Sequence, residues 1–206
     1  MITQKVLTCF SDLFFIWILF HFGLGDLENA WFLFTQYGIA PWAILCIVVF
    51  FLLYHSDYRT DIPLFIAGII LGYWGEWWGT THGIWTYWNG ATPPDYLPPL
   101  WGIGLLTVYR FGMIIKLLFE RKLPNLIRGI IVSSFFVIPV WAFARNLPVL
   151  TTVDWSNCLD IHFVVGFLIV VILILYRFEL RRDLPLYLCD TLLGGLYEFL
   201  GTSMGE

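Results

Sequence analysis

Four residues of this chain have the types and spacing needed to move a proton in an apolar setting: Glu76, Glu198, Arg110 and Asp190. Glu76 stands in "GYWGEWWGTTHGIWTYW", Gly72 to Trp88, directly behind the apolar run "IPLFIAGIILG". Glu198 stands in the equivalent place of "LLGGLYEFLGTSMG". An ionised side chain at a bilayer centre costs about 2.5–3.5 kcal/mol to insert, so a carboxylate in such a run faces a partner or a cavity. Two carboxylates facing one dry pocket repel each other, and desolvation adds to the repulsion, so one of them holds its proton while the other ionises. Glu76 and Glu198 then form an acid and base pair. Arg110 lies in the fourth apolar run and could neutralise the ionised member. Asp190 stands where the first copy has Gly68 and makes the two halves unequal.

The elements that must position these groups are membrane helices. Hydrophobic residues make up 59% of the chain, charged residues 13%, and mean hydropathy is +0.79, far more apolar than a soluble core requires. Apolar runs near the length that crosses a hydrocarbon core of about 30 Å place seven spans, at 6–23, 39–55, 62–80, 99–119, 127–145, 160–177 and 184–203. Runs such as "FVVGFLIVVILILY" do not alternate, which excludes the strands of a closed barrel and leaves an all-α polytopic bundle. With the N-terminus in the cytoplasm, Lys5, Arg59, Lys116, Arg121, Lys122, Arg128, Arg177, Arg181 and Arg182 fall on the cytoplasmic side, as the positive-inside rule requires. Of the basic residues Arg145 alone falls outside, with Asp26, Glu28, Asp95 and Asp154, and Arg110 is the charge that this topology leaves unexplained. A net charge of -4 argues against a nucleic-acid partner. Cys9, Cys46, Cys158 and Cys189 are scattered and show no metal-ligand spacing.

An internal repeat organises the chain. Residues 47–83, "IVVFFLLYHSDYRTDIPLFIAGIILGYWGEWWGTTHG", align without a gap on 169–205, "IVVILILYRFELRRDLPLYLCDTLLGGLYEFLGTSMG". The match includes polar, proline and glycine positions: Arg59 with Arg181, Asp61 with Asp183, Pro63 with Pro185, Gly72 with Gly194, and Glu76 with Glu198. This implies tandem parallel copies of a four-helix unit, 1–122 and 123–206, related by an axis along the membrane normal. The repeat predicts a fourth helix in the second copy that the sequence to Glu206 does not contain: the chain is cut there, the last span is dispensed with, or a second copy of the chain or another membrane subunit supplies it. Each glutamate lies about 14 residues into a helix that opens at an Asp-Ile/Leu-Pro corner, roughly 21 Å from the cytoplasmic face. Gly68, Gly72, Gly75 and Gly79 recur at three-to-four-residue spacing, which reads as close helix packing rather than a binding loop.

Trp77, Trp78, Trp85, Tyr87, Trp88, Tyr96 and Trp101 crowd the outer ends of the third and fourth spans. An interfacial aromatic belt accounts for such residues. Trp77 and Trp78 also adjoin Glu76 and point different ways round the helix, so one of them faces the bundle. A carboxylic acid beside indole faces can protonate an alkene and stabilise the cation that forms. Trp77, Trp78, Trp85, Tyr87 and Trp101 are then the substrate-binding candidates, beneath a proline-set rim, "NGATPPDYLPP". No phosphate cradle or nucleophile elbow is present in the sequence, and no metal or other cofactor is expected.

The run "GEWWGTTHGIWTYW" followed by "LPPLWG" resembles integral membrane carotenoid-modifying proteins, chiefly the carotenoid hydratase family. Glu76, Gly79, Gly83, Tyr87 and Pro98 to Gly102 are the corresponding positions, within residues 72–102. The chain departs from the pattern at His82-Gly83-Ile84-Trp85. The resemblance implies a polyprenyl or carotenoid substrate and acid-catalysed hydration or cyclisation. Three functions fit the residues: a membrane enzyme acting on an isoprenoid or other lipid between the two repeats, a small proton-coupled transporter, and a membrane subunit or assembly factor whose polar groups only lock helices together.

Overall fold

A computed structural model of the chain describes residues 2–24, 35–36, 38–84, 86–87, 90, 92–120, 124, 133, 137, 144 and 161–176. Among these residues the fold is all-helical, without a strand. The helices are α1 (Ile2–Ile18, extended by a π-helical turn over Leu19–Leu24), α2 (Ala40–Leu53), α3 (Tyr58–Thr81), α4 (Leu97–Glu120) and α5 (Ile161–Tyr176). They coincide in position with five of the seven stretches expected to be spans. Of the expected span at 127–145 only residues 133, 137 and 144 are described, and the span at 184–203 lies outside the described residues, as does the repeat's second copy beyond Tyr176. Among the described residues two stretches are long and apolar enough to cross a membrane, Gln4–Gly23 and Leu97–Leu117, and Trp42–Leu53 is a shorter apolar helix.

The corner between α2 and α3 is built by local chemistry. The Tyr54 N–H closes α2 by donating to the carbonyls of Phe50 and Phe51, and His55 then takes φ +50°, a left-handed turn that stops the helix. Asp57 opens α3 as its cap, accepting from the Arg59 N–H at 3.3 Å, while Asp61 Oδ2 accepts from the Asp57 N–H at 2.8 Å. Helix α3 therefore starts at Tyr58, before the Asp-Ile-Pro corner where the sequence places it, and Pro63 lies inside its second turn. A proline there forgoes one backbone bond. The reciprocal cap secures the same end of the helix.

The chain divides into two compact units, Met1–Trp77 with Ala91–Phe111, and Trp78–Gly90 with Gly112–Glu206. The core of the first is Phe15, Ile18 and Leu19 from α1 and its π turn, Leu45 and Leu52 from α2, Phe65 from α3, and Ile103 and Leu106 from α4. The rings of Phe15 and Phe65 join α1 to α3 at a centroid distance of 5.0 Å. Ser11 and Phe15, then Ile18 and Leu19, fall four, three and one residues apart, the spacing of a single helical face. Ser11 is buried on that face because its hydroxyl donates to the Thr8 carbonyl at 2.7 Å.

Burial runs opposite to that of a water-soluble domain. Phe10, Leu13 and Trp17 of α1, Ile44, Ile47 and Phe50 of α2, and Ile62, Ile66 and Ile70 of α3 are exposed, whereas Asp61, Glu76 and Arg110 are buried. Soluble domains rarely present so much contiguous apolar surface while enclosing charges. In the second unit α5 continues the pattern, with Val164, Val165, Leu168 and Ile172 all exposed.

Candidate functional site

The first unit buries two polar centres on the α3–α4 pair, one at each end of a glycine contact. A Cβ placed on Gly68 would lie 2.8 Å from both Gly102 Cα and the Trp101 carbonyl oxygen, and one on Gly102 would lie 2.9 Å from the Phe65 carbonyl oxygen. One on Gly72 would overlap the Trp101 ring. These glycines let two helix backbones meet, as their spacing in the sequence suggests. Gly75, in the same run, has open space where its Cβ would be. Gly68→Ala is therefore expected to lower the thermal stability of the detergent-solubilised protein by about 1–3 kcal/mol through overpacking. Gly75→Ala should be neutral or stabilising by up to about 1 kcal/mol from helix propensity. Equal melting temperatures for the two variants would contradict the contact.

The contact fixes the register of the antiparallel pair. Seven residues from Gly68 towards the start of α3 stands Asp61, and eight residues from Gly102 towards the end of α4 stands Arg110. The two meet in an ion pair between Arg110 Nη2 and Asp61 Oδ1, with Arg110 2% and Asp61 1% exposed. Asp61 thus spends one oxygen on the guanidinium and the other on the helix cap. Arg110, expected to neutralise whichever of Glu76 and Glu198 is ionised, is instead paired with Asp61. Its carboxylate is Asp61, 15 residues before Glu76, or about 22 Å along the helix at 1.5 Å per residue. The pair also explains the one charge that the topology could not place. Asp61 was legible only as a recurring charge at the head of the third span, and its burial follows from the cap and the register together.

Two further residues missed in the sequence join this end. Ser56, in the α2–α3 corner, donates to Asp12 Oδ2 of α1 at 2.9 Å. Asp12 is also within electrostatic range of Asp61 and Arg110. Among the described residues Asp12 Oδ1 and Arg110 Nε are buried without a hydrogen-bond partner.

At the other end, Glu76 is 5% exposed and accepts a hydrogen bond from Trp101 Nε1 at 3.0 Å. The Trp101 ring packs across the α3 backbone at Gly72, one turn before Glu76, so the glycine makes room for the indole that holds the carboxyl. Trp101, a candidate for lining substrate, orients Glu76. Burial pushes the Tyr96 phenol up from its ordinary range and the Glu76 carboxylate adds to the shift, so Tyr96 keeps its hydroxyl proton at neutral pH. Trp77 follows Glu76 and is half-buried.

In the second unit, Trp78 and Tyr87 are half-buried, and the Trp78 carbonyl accepts from the His82 backbone N–H at 3.1 Å and its ring Nδ1–H at 2.8 Å. His82 is thereby turned to its own helix. Glu198, Asp190 and Trp85 lie outside the described residues, and with them the expected pairing of Glu76 with Glu198. Among the described residues no three His, Cys, Asp or Glu side chains gather as a metal site. No protein-family model, curated protein or solved structure matches the chain.

Proposed function

We propose that the chain is a multi-pass protein of the cell membrane, N-terminus in the cytoplasm, whose Glu76 performs acid–base chemistry on an isoprenoid or similarly apolar lipid. The observation that carries the reading is the buried Glu76 carboxyl held at one oxygen by the Trp101 indole. An alkene bound against the protonated acid takes the proton on one carbon, and the π electrons form the new C–H bond. The neighbouring carbon becomes a cation that aromatic faces stabilise. Water adds to that carbon and returns a proton to the Glu76 carboxylate, which balances a hydration; attack by a second alkene and loss of a proton to Glu76 balances a cyclisation. The membrane location and orientation rest on the exposed apolar faces of α1, α2, α3 and α5 and on the distribution of Lys and Arg.

The Gly68–Gly102 contact and the Asp61–Arg110 pair favour a second reading, a membrane subunit whose buried polar groups hold helices in register. Mass spectrometry of lipids extracted from protein purified in mild detergent separates the two. The enzyme reading expects one isoprenoid-type lipid enriched to near stoichiometry. Recovery of bulk membrane lipids alone, in the proportions of the host membrane, would leave helix packing as the function of Glu76.

A further inference from the structure

The centre formed by Asp12, Ser56, Asp61 and Arg110 is separate from the Glu76 site and plays no part in the chemistry proposed there. Its charges do not cancel. Two carboxylates share the centre with one guanidinium, which leaves one negative charge where α1, α3 and α4 meet. Arg110 and Asp61 are 2% and 1% exposed, whereas Asp12 is half-buried with its Oδ1 atom enclosed, so water screens the surplus charge only in part. The hydrogen bonds show where the imbalance rests. Both Asp61 oxygens are engaged, by Arg110 and by the Asp57 N–H. Asp12 accepts from Ser56 through Oδ2, and its Oδ1 is buried with no donor among the described residues. Arg110 in turn keeps one buried donor, Nε, unspent. A buried acceptor without a donor costs about 1–3 kcal/mol, and more when the group is charged.

We propose that this centre is a binding site for one exchangeable proton, carried on Asp12. The proton on Oδ1 removes the surplus charge and leaves Arg110 to Asp61. When it departs, the Asp12 carboxylate competes with Asp61 for Arg110, whose Nε supplies a free donor for it. The charge state of Asp12 then decides whether Arg110 ties α4 to α3 alone or to α1 as well. Among the described residues the charged groups acting on Asp12 are Asp61 from α3 and Arg110 from α4, with Ser56 from the α2–α3 corner at bonding distance. Lys5, His55 and Arg59, towards the same ends of the helices, are exposed. A proton site at the end of the bundle that carries these bases would couple helix arrangement to pH on that side. It does not depend on Glu76 or on the identity of any lipid.

Dicyclohexylcarbodiimide, which adds to protonated carboxyls in apolar surroundings, tests the site in the full-length protein in detergent. Peptide mass spectrometry is expected to place an adduct on Asp12, with labelling that falls about tenfold for each pH unit above the site's own titration point. Asp12→Asn, which keeps the acceptor for Ser56, should remove that adduct and leave the protein folded. Cys9, an exposed free thiol three residues away, reports through alkylation by an apolar maleimide that reagents reach this stretch of α1. Alkylated Cys9 with an unlabelled Asp12 at low pH, or an Asp12 adduct that does not change with pH, would overturn the proposal. Either result would make the centre a fixed ion-pair network. An adduct on Glu76 alone would support the reading of Glu76 and still overturn this one.

Discussion

Arg110→Met is expected to destabilise the protein by about 3–5 kcal/mol, the usual cost of removing one partner from a buried ion pair. Arg110 and Asp61 are almost wholly enclosed, so the remaining Asp61 carboxylate can neither reach water nor shed its charge without taking up a proton. Asp61 also accepts the Asp57 N–H at the head of α3, so misplacing its carboxyl loosens the cap as well as the interhelical bond. The double variant Asp61→Asn with Arg110→Met removes both charges and keeps an oxygen for the cap. It should therefore recover much of the loss, because a neutral pair leaves no orphaned charge. Thermal unfolding of the wild type, the two single variants and the double variant in one detergent supplies the cycle. A double variant no more stable than Arg110→Met would show that the guanidinium serves some bond other than the one to Asp61.

Glu76→Gln and Trp101→Phe should separate chemistry from packing. Glutamine presents an amide oxygen to the Trp101 Nε1–H where glutamate presents Oε1, so the hydrogen bond and the side-chain volume survive. The variant should stay inserted and fall within about 1 kcal/mol of the wild-type stability, the net worth of a typical hydrogen bond. An amide cannot donate and recover a proton as a carboxylic acid does, and turnover of the retained lipid should fall by about 10²–10⁴-fold, the usual contribution of a positioned acid or base. Trp101→Phe keeps a ring over Gly72 and removes the N–H, leaving the carboxyl buried without that donor. It is expected to lose stability and activity together, with the stability loss near 1–3 kcal/mol for a buried acceptor. If Glu76→Gln processes the lipid as the wild type does, Glu76 is not the acid, and the helix-locking reading takes its place.

How much of this was legible in the sequence differs from residue to residue. The head of α3 illustrates the limit. Asp61 and Pro63 stood out as recurring positions, but a helix opening at the proline put Asp61 outside it. The cap at Asp57 moved the start back to Tyr58 and took Asp61 into the first turns, on the face that packs against α4. Glycine spacing was read correctly at Gly68 and Gly72 and gave no means of telling them from Gly75, because the space each glycine needs belongs to the neighbouring helix.

The sequence by itself determined that the described residues form helices without a strand, that their surfaces are apolar and that Glu76 lies on an interior face. These properties depend on composition, on helix-length apolar runs and on the cost of facing a carboxylate to lipid, and each can be read without knowing which helices pack together. Only the tertiary structure decided that Arg110 belongs to Asp61 rather than Glu76, that Trp101 holds Glu76, and that Ser56 brings Asp12 into the same centre as the ion pair. Each of those pairings depends on the register between antiparallel helices, and a shift of one turn, about 5.4 Å, would exchange every partner. The contact of Gly68 with Gly102 sets that register. It is made by two residues with no side chains, and nothing in the sequence around either one names the other.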